Sequence, residues 1–349
     1  MSKFRVALSG DFVKADGQPT FPMFDLSPLR NDPDIELGYV APVDGVIPAA
    51  GLAGYDALIL LVPKFNKSSI PADGRLAIVA RFGVGYDSVD VAACSEAGIA
   101  LAITPDGVRR PVAVAILTFV LALAGKMMIK DQLTRQGPNG FAKKTDHMGV
   151  GLAGRTLGSV GIGNIGAEMF RLAKPFDMTF IAHDPFADRT VAESLGVRLV
   201  ELETVFREAD FVTVNCPLTP ETTHLVNAAR LALMKPSAYL INTARGPIVD
   251  QKALTKVLQE RRIAGAGLDV LDPEPPAADD PILKLDNVIL APHALCWTDQ
   301  CFAGIGASDV KAVLDVKQGR DPGGIVNRAV LSTPAWRRRL DGYRARFGT

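Results

Sequence analysis

Residues 156–173, TLGSVGIGNIGAEMFRLA, limit the possible folds of this chain more than any other stretch. An apolar run enters a turn carrying Gly161, Gly163 and Gly166 and leaves as a helical pattern. Gly161 allows the tight turn, Gly163 lets a ligand approach the backbone, and Gly166 lets helix and strand pack closely. Asn164 and Ile165 fall between them, at the start of the helix. Free N–H groups and a partial positive charge there suit a pyrophosphate. The next apolar run, MTFIAHD, ends in Asp184, about 20 residues further on, where a carboxylate accepts the adenosine ribose hydroxyls. That carboxylate would repel a 2′-phosphate, so NAD (as NADH) is expected over NADP, with Arg189 close enough to soften the preference.

Short apolar runs alternate with helical patterns along nearly the whole chain, as in a parallel α/β sheet. The first series is FRVALSG (4–10), DIELGYV (34–40), YDALILLV (55–62), RLAIVARF (75–82) and IALAIT (99–104). The second is TLGSVGI, MTFIAHD, DFVTVNC (210–216), AYLINT (238–243), GAGLDV (265–270) and NVILAP (287–292). Two series predict an α/β protein of two doubly wound domains with a cleft between them. A polar, Gly-rich connection, RQGPNGFAKKTDHMGVGLAG, precedes the second series.

With 349 residues the chain is long enough for two cores. Its net charge of zero gives no general attraction to nucleic acid or to an anionic membrane. The four cysteines form no CxxC pair, which favours a reducing compartment, and the N-terminus has no signal-peptide pattern, so the expected location is cytoplasmic. The apolar run 111–125 falls short of the about 20 residues that span a bilayer. It is expected to be a helix buried almost all round, in a core or a subunit interface. The basic C-terminal stretch WRRRLDGYRARF is expected to be a surface helix.

Ligands of open α/β sheets bind beyond the carboxyl ends of the strands. Just after three such ends stand Arg245 (INTARGPIVD), Asp269 and Glu274 (LDVLDPEPP) and His293 (LAPHALCWT). Each has a bland alternative: a surface ion pair for the arginine, a solvated acidic turn for the carboxylates, a satisfied turn for the histidine. Together, beside a dinucleotide fold, they suit reduction of a carbonyl. Histidine titrates nearest neutrality and can deliver a proton, a carboxylate favours imidazolium, and arginine offers a charged fork to carboxylate and carbonyl oxygens. No group of residues has zinc or iron spacing, so no metal is expected.

The motifs GRTLGSVGIGNIG, CPLTPETTHLV, LINTARGPIVD, GLDVLDPEPP and APHALCWT, with RFGVGYDSVDVAACSEAGIALAITP (81–105) and GRDPGGIVN (319–327), resemble those of the D-isomer-specific 2-hydroxyacid dehydrogenases. The resemblance covers about residues 50 to 327. It implies a discontinuous, flavodoxin-like substrate domain (1–109 and 300–349) and a Rossmann NAD-binding domain (110–299). It implies catalysis by Arg245, Glu274 and His293, with the substrate carboxylate on the backbone of Val84 and Gly85 and on Arg245. The cofactor would also meet Cys216, Pro217, Thr222, Thr243, Ala244, Asp269, which faces the nicotinamide, and the HALC turn with His293 and Cys296. A homodimer and a small 2-oxo or 2-hydroxy acid substrate follow by the same resemblance.

Two departures stand out. Val114 occupies the place of a glutamate usual in the family, at the interdomain hinge, and the connection lacks a tryptophan that many members carry. Formate dehydrogenase is disfavoured because that branch lacks an acid like Glu274. A dinucleotide-sensing scaffold like the family's corepressors stays open. So does the substrate: hydroxypyruvate, glyoxylate or 3-phosphohydroxypyruvate. Arg81, Lys64, Lys67 and Arg110 would suit a phosphorylated one, or are solvated loop residues.

Overall fold

The computed structural model describes residues 3–348. The chain divides into two compact units, Met1–Val108 with Thr298–Thr349, and Arg109–Trp297. The first is built on five parallel strands: β1 (Phe4–Ser9), β2 (Ile35–Val40), β3 (Ala57–Leu60), β4 (Ile78–Arg81) and β5 (Ala100–Ala102). Their order, β2-β1-β3-β4-β5, is that of the flavodoxin-like doubly wound fold. Strand β3, ALIL, is buried at every residue, as expected where helices cover both faces of a parallel sheet.

The second unit holds seven parallel strands: β6 (Thr156–Val160), β7 (Thr179–His183), β8 (Val197–Leu199), β9 (Phe211–Val214), β10 (Tyr239–Asn242), β11 (Gly265–Leu268) and β12 (Val288–Leu290). The order β12-β11-β10-β9-β6-β7-β8 reverses between β6 and β9, which makes the end of β6 the topological switch point of a Rossmann sheet. Strand β8, VRL, carries an exposed arginine in its middle, so no apolar run announces it. Along β10 the side chains alternate between two cores: Leu240 packs with Val205, Phe206 and Leu254, while Tyr239 and Ile241 pack with Phe119, Phe170 and Phe211.

One sequence expectation needs correction. The apolar segment forms helix α1 (Pro105–Ala124), and its 20 residues match a bilayer span in length and hydropathy. It is not buried all round. Arg110, Val114, Thr118, Leu121 and Gly125 form an exposed stripe at helical spacing, whereas Ala113, Ile116, Phe119, Val120 and Leu123 lie in the core. A helix, Met127–Arg135, follows α1 and leads into the polar connection, which itself holds a short helical turn at Pro138–Phe141. Helix α2 (Asn164–Ala173) follows the glycine turn.

In the first unit, helix α3 (Asp299–Lys317) precedes helix α4 (Pro334–Phe347). The latter is a surface helix, as expected, packed along one apolar face. Trp336, Leu340, Tyr343 and Phe347 are buried on it, and Phe4 meets the rings of Tyr343 and Phe347 edge-on at 5.2 and 6.0 Å. Its arginines are structural donors: Arg339 bonds the carbonyls of Gly74, Leu76 and Gly98, and Arg337 pairs with Asp321 at 2.8 Å.

Candidate active site

Strand register builds the site in the second unit. His183 pairs with Val160, Val160 with Val214, Val214 with Asn242, Asn242 with Leu268, and Leu268 with Leu290. These six residues form one row across the sheet, and each is the last of its strand. The segments that start at Asp184, Gly161, Asn215, Thr243, Asp269 and Ala291 therefore leave the sheet side by side. The expected site residues of this unit sit at the start of these segments or a few residues along them.

At the switch point, Gly161 has φ +99°, and a Cβ there would stand 2.9 Å from the backbone carbonyl of Asn215, so only glycine fits the turn. A Cβ on Gly166 would come 2.7 Å from the Gly161 oxygen, which accounts for the close packing of α2 on β6. In front of Gly163 an added Cβ would meet no heavy atom within 4 Å. Gly163 and Asn164 are exposed at the helix N-terminus, and no side chain caps it. The Asp184 carboxylate accepts from Ile162 N and Phe186 N, both at 2.9 Å, which fixes it over the turn. Uncapped N–H groups, open space at Gly163 and an anchored carboxylate fit a dinucleotide. Burial pushes the nearby Cys216 thiol up to about 11, partly offset by a backbone hydrogen bond and helped by the charge of Asp184, so it is no nucleophile. The Thr222 hydroxyl donates to Pro217 O at 2.7 Å and accepts from Thr219 N at 2.7 Å. It shapes the loop after β9, and its hydroxyl is already engaged.

Sequence reading missed a buried polar set behind the turn. Asn215 Nδ2 donates to Ser159 Oγ at 2.8 Å and to Thr213 Oγ1 at 3.0 Å, and Thr213 Oγ1 donates to Gly158 O at 3.0 Å. The only signal was three polar residues inside apolar runs. Asn242, 1% exposed, was missed too. Its side chain accepts from Ala244 N at 3.0 Å and donates to Arg245 O at 2.9 Å, so it holds the Thr243–Arg245 segment. The Arg245 guanidinium donates to Ala244 O at 2.7 Å. Gln251 does the same for the proline-rich turn, accepting from Asp272 N at 2.8 Å and donating to Asp280 at 2.9 Å.

His293 and Glu274 come together. The imidazole Nδ1 is 3.1 Å from both Glu274 oxygens, although 19 residues separate them in sequence. The Asp272–Pro273 and Glu274–Pro275 peptide bonds are cis. His293 has φ +54°, a left-handed conformation that costs a β-carbon residue energy and so needs support. Asp269 supplies it. Its carbonyl accepts from His293 N at 2.7 Å, and its carboxylate accepts from Ala294 N at 2.9 Å and Leu295 N at 3.1 Å. Asp269 is 3% exposed. Burial pushes its carboxyl above the usual range, against the pull of the Leu295 and Ala294 N–H groups and of His293, and Glu274 adds a further upward push. Its carboxylate thus holds the turn that carries the histidine, a role its sequence position did not reveal.

Comparison with known proteins agrees with this geometry. Residues 117–294 match the model of the D-isomer specific 2-hydroxyacid dehydrogenase NAD binding domain. Glyoxylate reductase of Korarchaeum cryptofilum is 39% identical over 278 residues, 79% of this chain and 84% of that protein. The chain belongs to the D-isomer specific 2-hydroxyacid dehydrogenase family. It is therefore an oxidoreductase, a D-2-hydroxyacid dehydrogenase. D-3-phosphoglycerate dehydrogenase of Methanocaldococcus jannaschii is 38% identical over 276 residues, 78% of this dehydrogenase but only 52% of that longer protein. A D-lactate dehydrogenase of Aquifex aeolicus, solved with NAD and lactic acid, superposes with a TM-score of 0.77 at 27% identity, covering 92% of this chain and 99% of that one. In the other unit, Val84 and Gly85 follow β4 in the loop after Phe82 and are partly buried. Among the described residues no group of His, Cys, Asp and Glu gathers as a metal site.

Proposed function

We propose that this dehydrogenase reduces a small 2-oxo acid to the D-2-hydroxy acid with NADH, and that His293 donates the proton. The contact of His293 Nδ1 with both Glu274 oxygens carries the reading. With Nδ1 held by a carboxylate, Nε2 is the nitrogen left to protonate the carbonyl oxygen, and the ring orientation is fixed. A bound nicotinamide supplies the hydride to the carbonyl carbon. Arg245 binds the carboxylate and carbonyl oxygens of the substrate, and the backbone N–H groups of Val84 and Gly85 bind its carboxylate. Glu274 stabilises imidazolium before transfer, and the neutral imidazole that remains is the base for the reverse reaction. Asp184 supports NADH over NADPH. Glyoxylate, hydroxypyruvate and 3-phosphohydroxypyruvate are the substrates to try first, since relatives at nearly equal identity are named for two of these chemistries.

The test is a panel of 2-oxo acids assayed with NADH, followed by His293→Ala on the best of them. The variant should lose roughly 100-fold or more in kcat, the range expected for a general acid, while NADH fluorescence titration gives an unchanged Kd. No turnover of any 2-oxo acid by the native chain would point instead to a dinucleotide-sensing scaffold. Near-normal kcat in His293→Ala would remove the histidine from the mechanism.

A further inference from the structure

The loop after β4 is held unusually tightly for an active-site loop, and from two sides. On one side is an aromatic cluster. Phe82 is 3% exposed and its ring lies 5.0 Å from Phe12, 4.9 Å from Phe24, 5.7 Å from Phe21 and 6.1 Å from Phe302. Phe21 and Phe302 stack at 4.0 Å. On the other side is Arg81. Its guanidinium Nη1 turns back along its own chain and donates to Phe82 O at 2.6 Å. It also lies over Gly83, where an added Cβ would come within 2.0 Å of that nitrogen. Gly83 has φ +126°, open only to glycine, so the loop has both the conformation and the bare Cα that the arginine requires. Backbone bonds complete the anchorage: Phe82 N donates to Leu60 O at 2.8 Å, and Thr104 N to Gly83 O at 3.0 Å.

Helix α3 supplies the far wall. Phe302, Gly306 and Asp309 are spaced i, i+4 and i+7, on one helical face. Gly306 leaves room for the Phe24 ring, which an added Cβ would meet at 2.3 Å. Asp309 is fully buried, and neither carboxylate oxygen has a hydrogen-bond partner. Burial raises its pKa well above the usual value, and the charge that opposes this is that of Arg81. A buried carboxylate without hydrogen bonds is costly, and here the arginine over the loop offsets part of that cost.

We propose that Arg81 is a positioning residue: its guanidinium, clamped over Phe82 and Gly83, sets the direction of the Val84 and Gly85 N–H groups and hence the affinity for the substrate carboxylate. The inference rests on the reading that those N–H groups bind the carboxylate. It assigns a positioning function to a side chain that is bonded to the loop backbone.

The decisive variants are Arg81→Met, which keeps length and removes the fork, and Arg81→Lys, which keeps a cationic donor. Both are assayed beside the native enzyme with its best 2-oxo acid and with the methyl ester of that acid. Arg81→Met should raise KM for the acid at least tenfold, with kcat within threefold and KM for NADH unchanged. Arg81→Lys should recover most of the lost affinity. The ester has no carboxylate, so its kcat/KM should be the same in all three proteins. An unchanged KM for the acid in Arg81→Met would overturn the proposal. So would a parallel loss with acid and ester, because that pattern marks general damage. If Arg81→Met does not fold, as judged by circular dichroism, Arg81→Gln takes its place: a threefold or larger rise in KM for the acid only supports the role, and no rise refutes it. If the native enzyme turns over no 2-oxo acid, the functional reading fails first and takes the inference with it. Turnover by the native enzyme with an unmoved KM in the variants defeats the inference alone.

Discussion

Asp269→Ala tests whether His293, the proposed proton donor, depends on a buried cap. The carboxylate holds two backbone N–H groups, of Ala294 at 2.9 Å and Leu295 at 3.1 Å, in a turn where His293 has φ +54°. Removing it strands two partly buried donors. Each costs about 1–3 kcal/mol when left unsatisfied. Release of the buried charge offsets part of this, because burial is the main cause of the raised Asp269 pKa. A net loss of roughly 2–4 kcal/mol is expected, or about 5–10 °C in the melting of a unit of this size. The turn should then relax out of its left-handed conformation and take the imidazole away from Glu274, so kcat falls along with Tm. Asp269→Asn keeps an acceptor for Ala294 N and should lose well under half as much.

The pH dependence separates the charge from the hydrogen bonds. A carboxyl whose pKa is raised by folding keeps its proton in the folded state after the unfolded chain has lost it. Native stability from this group is therefore intact below the unfolded pKa of about 3.9 and declines as pH rises from there through the folded pKa. Asn cannot titrate. The Tm of Asp269→Asn minus that of the native enzyme should become less negative as pH is raised from 4. Differential scanning calorimetry at a series of pH values, with kcat measured alongside, reads both effects. Unchanged Tm and kcat in Asp269→Ala would refute the cap, and a pH-independent Tm difference for Asp269→Asn would refute the raised pKa.

Cofactor choice should follow Asp184. A 2′-phosphate placed about 4–5 Å from its carboxylate would be disfavoured by roughly 1–3 kcal/mol once solvent screening is allowed for, so Asp184→Ala should narrow the NADH/NADPH ratio of kcat/KM by about 5–150-fold, and a native enzyme that prefers NADPH would point to Arg189 instead. The exposed stripe of α1, with Val114 49% and Leu121 45% accessible and Met127 and Met128 beyond it, supports a homodimer; light scattering at micromolar concentration should give twice the chain mass, Leu121→Glu should shift it toward monomer, and a monomeric native protein would disprove the stripe as an interface.

What could be read from the sequence, and what could not, divides along a physical line. Alternating apolar runs revealed the strands because a parallel sheet buried on both faces leaves few polar residues in them. Gly161 and Gly166 were legible because their turn and their close packing exclude every Cβ. Arg245, Glu274 and His293 stood out as candidates because they follow strand ends and suit carbonyl reduction, and the structure brings His293 and Glu274 together. Strand β8 was not legible, since an exposed arginine in the middle of VRL breaks the apolar run. Neither was the exposed stripe of α1: Val114 and Leu121 are as apolar as their buried neighbours, and only packing tells which face is covered. The supporting residues were hidden for a different reason. Asn242, Gln251 and Asp269 act on backbone groups of segments that are remote in sequence or have no side-chain signature, as when Gln251 receives Asp272 N across 21 positions. Such hydrogen bonds leave no spacing rule, because their partners are the same amides every residue carries. Candidate site residues are thus legible where their side chains suit a chemistry, and supports that bond the backbone are hidden. Asp269 crosses that line: the sequence position marks it as a site residue, while its hydrogen bonds make it the support of another.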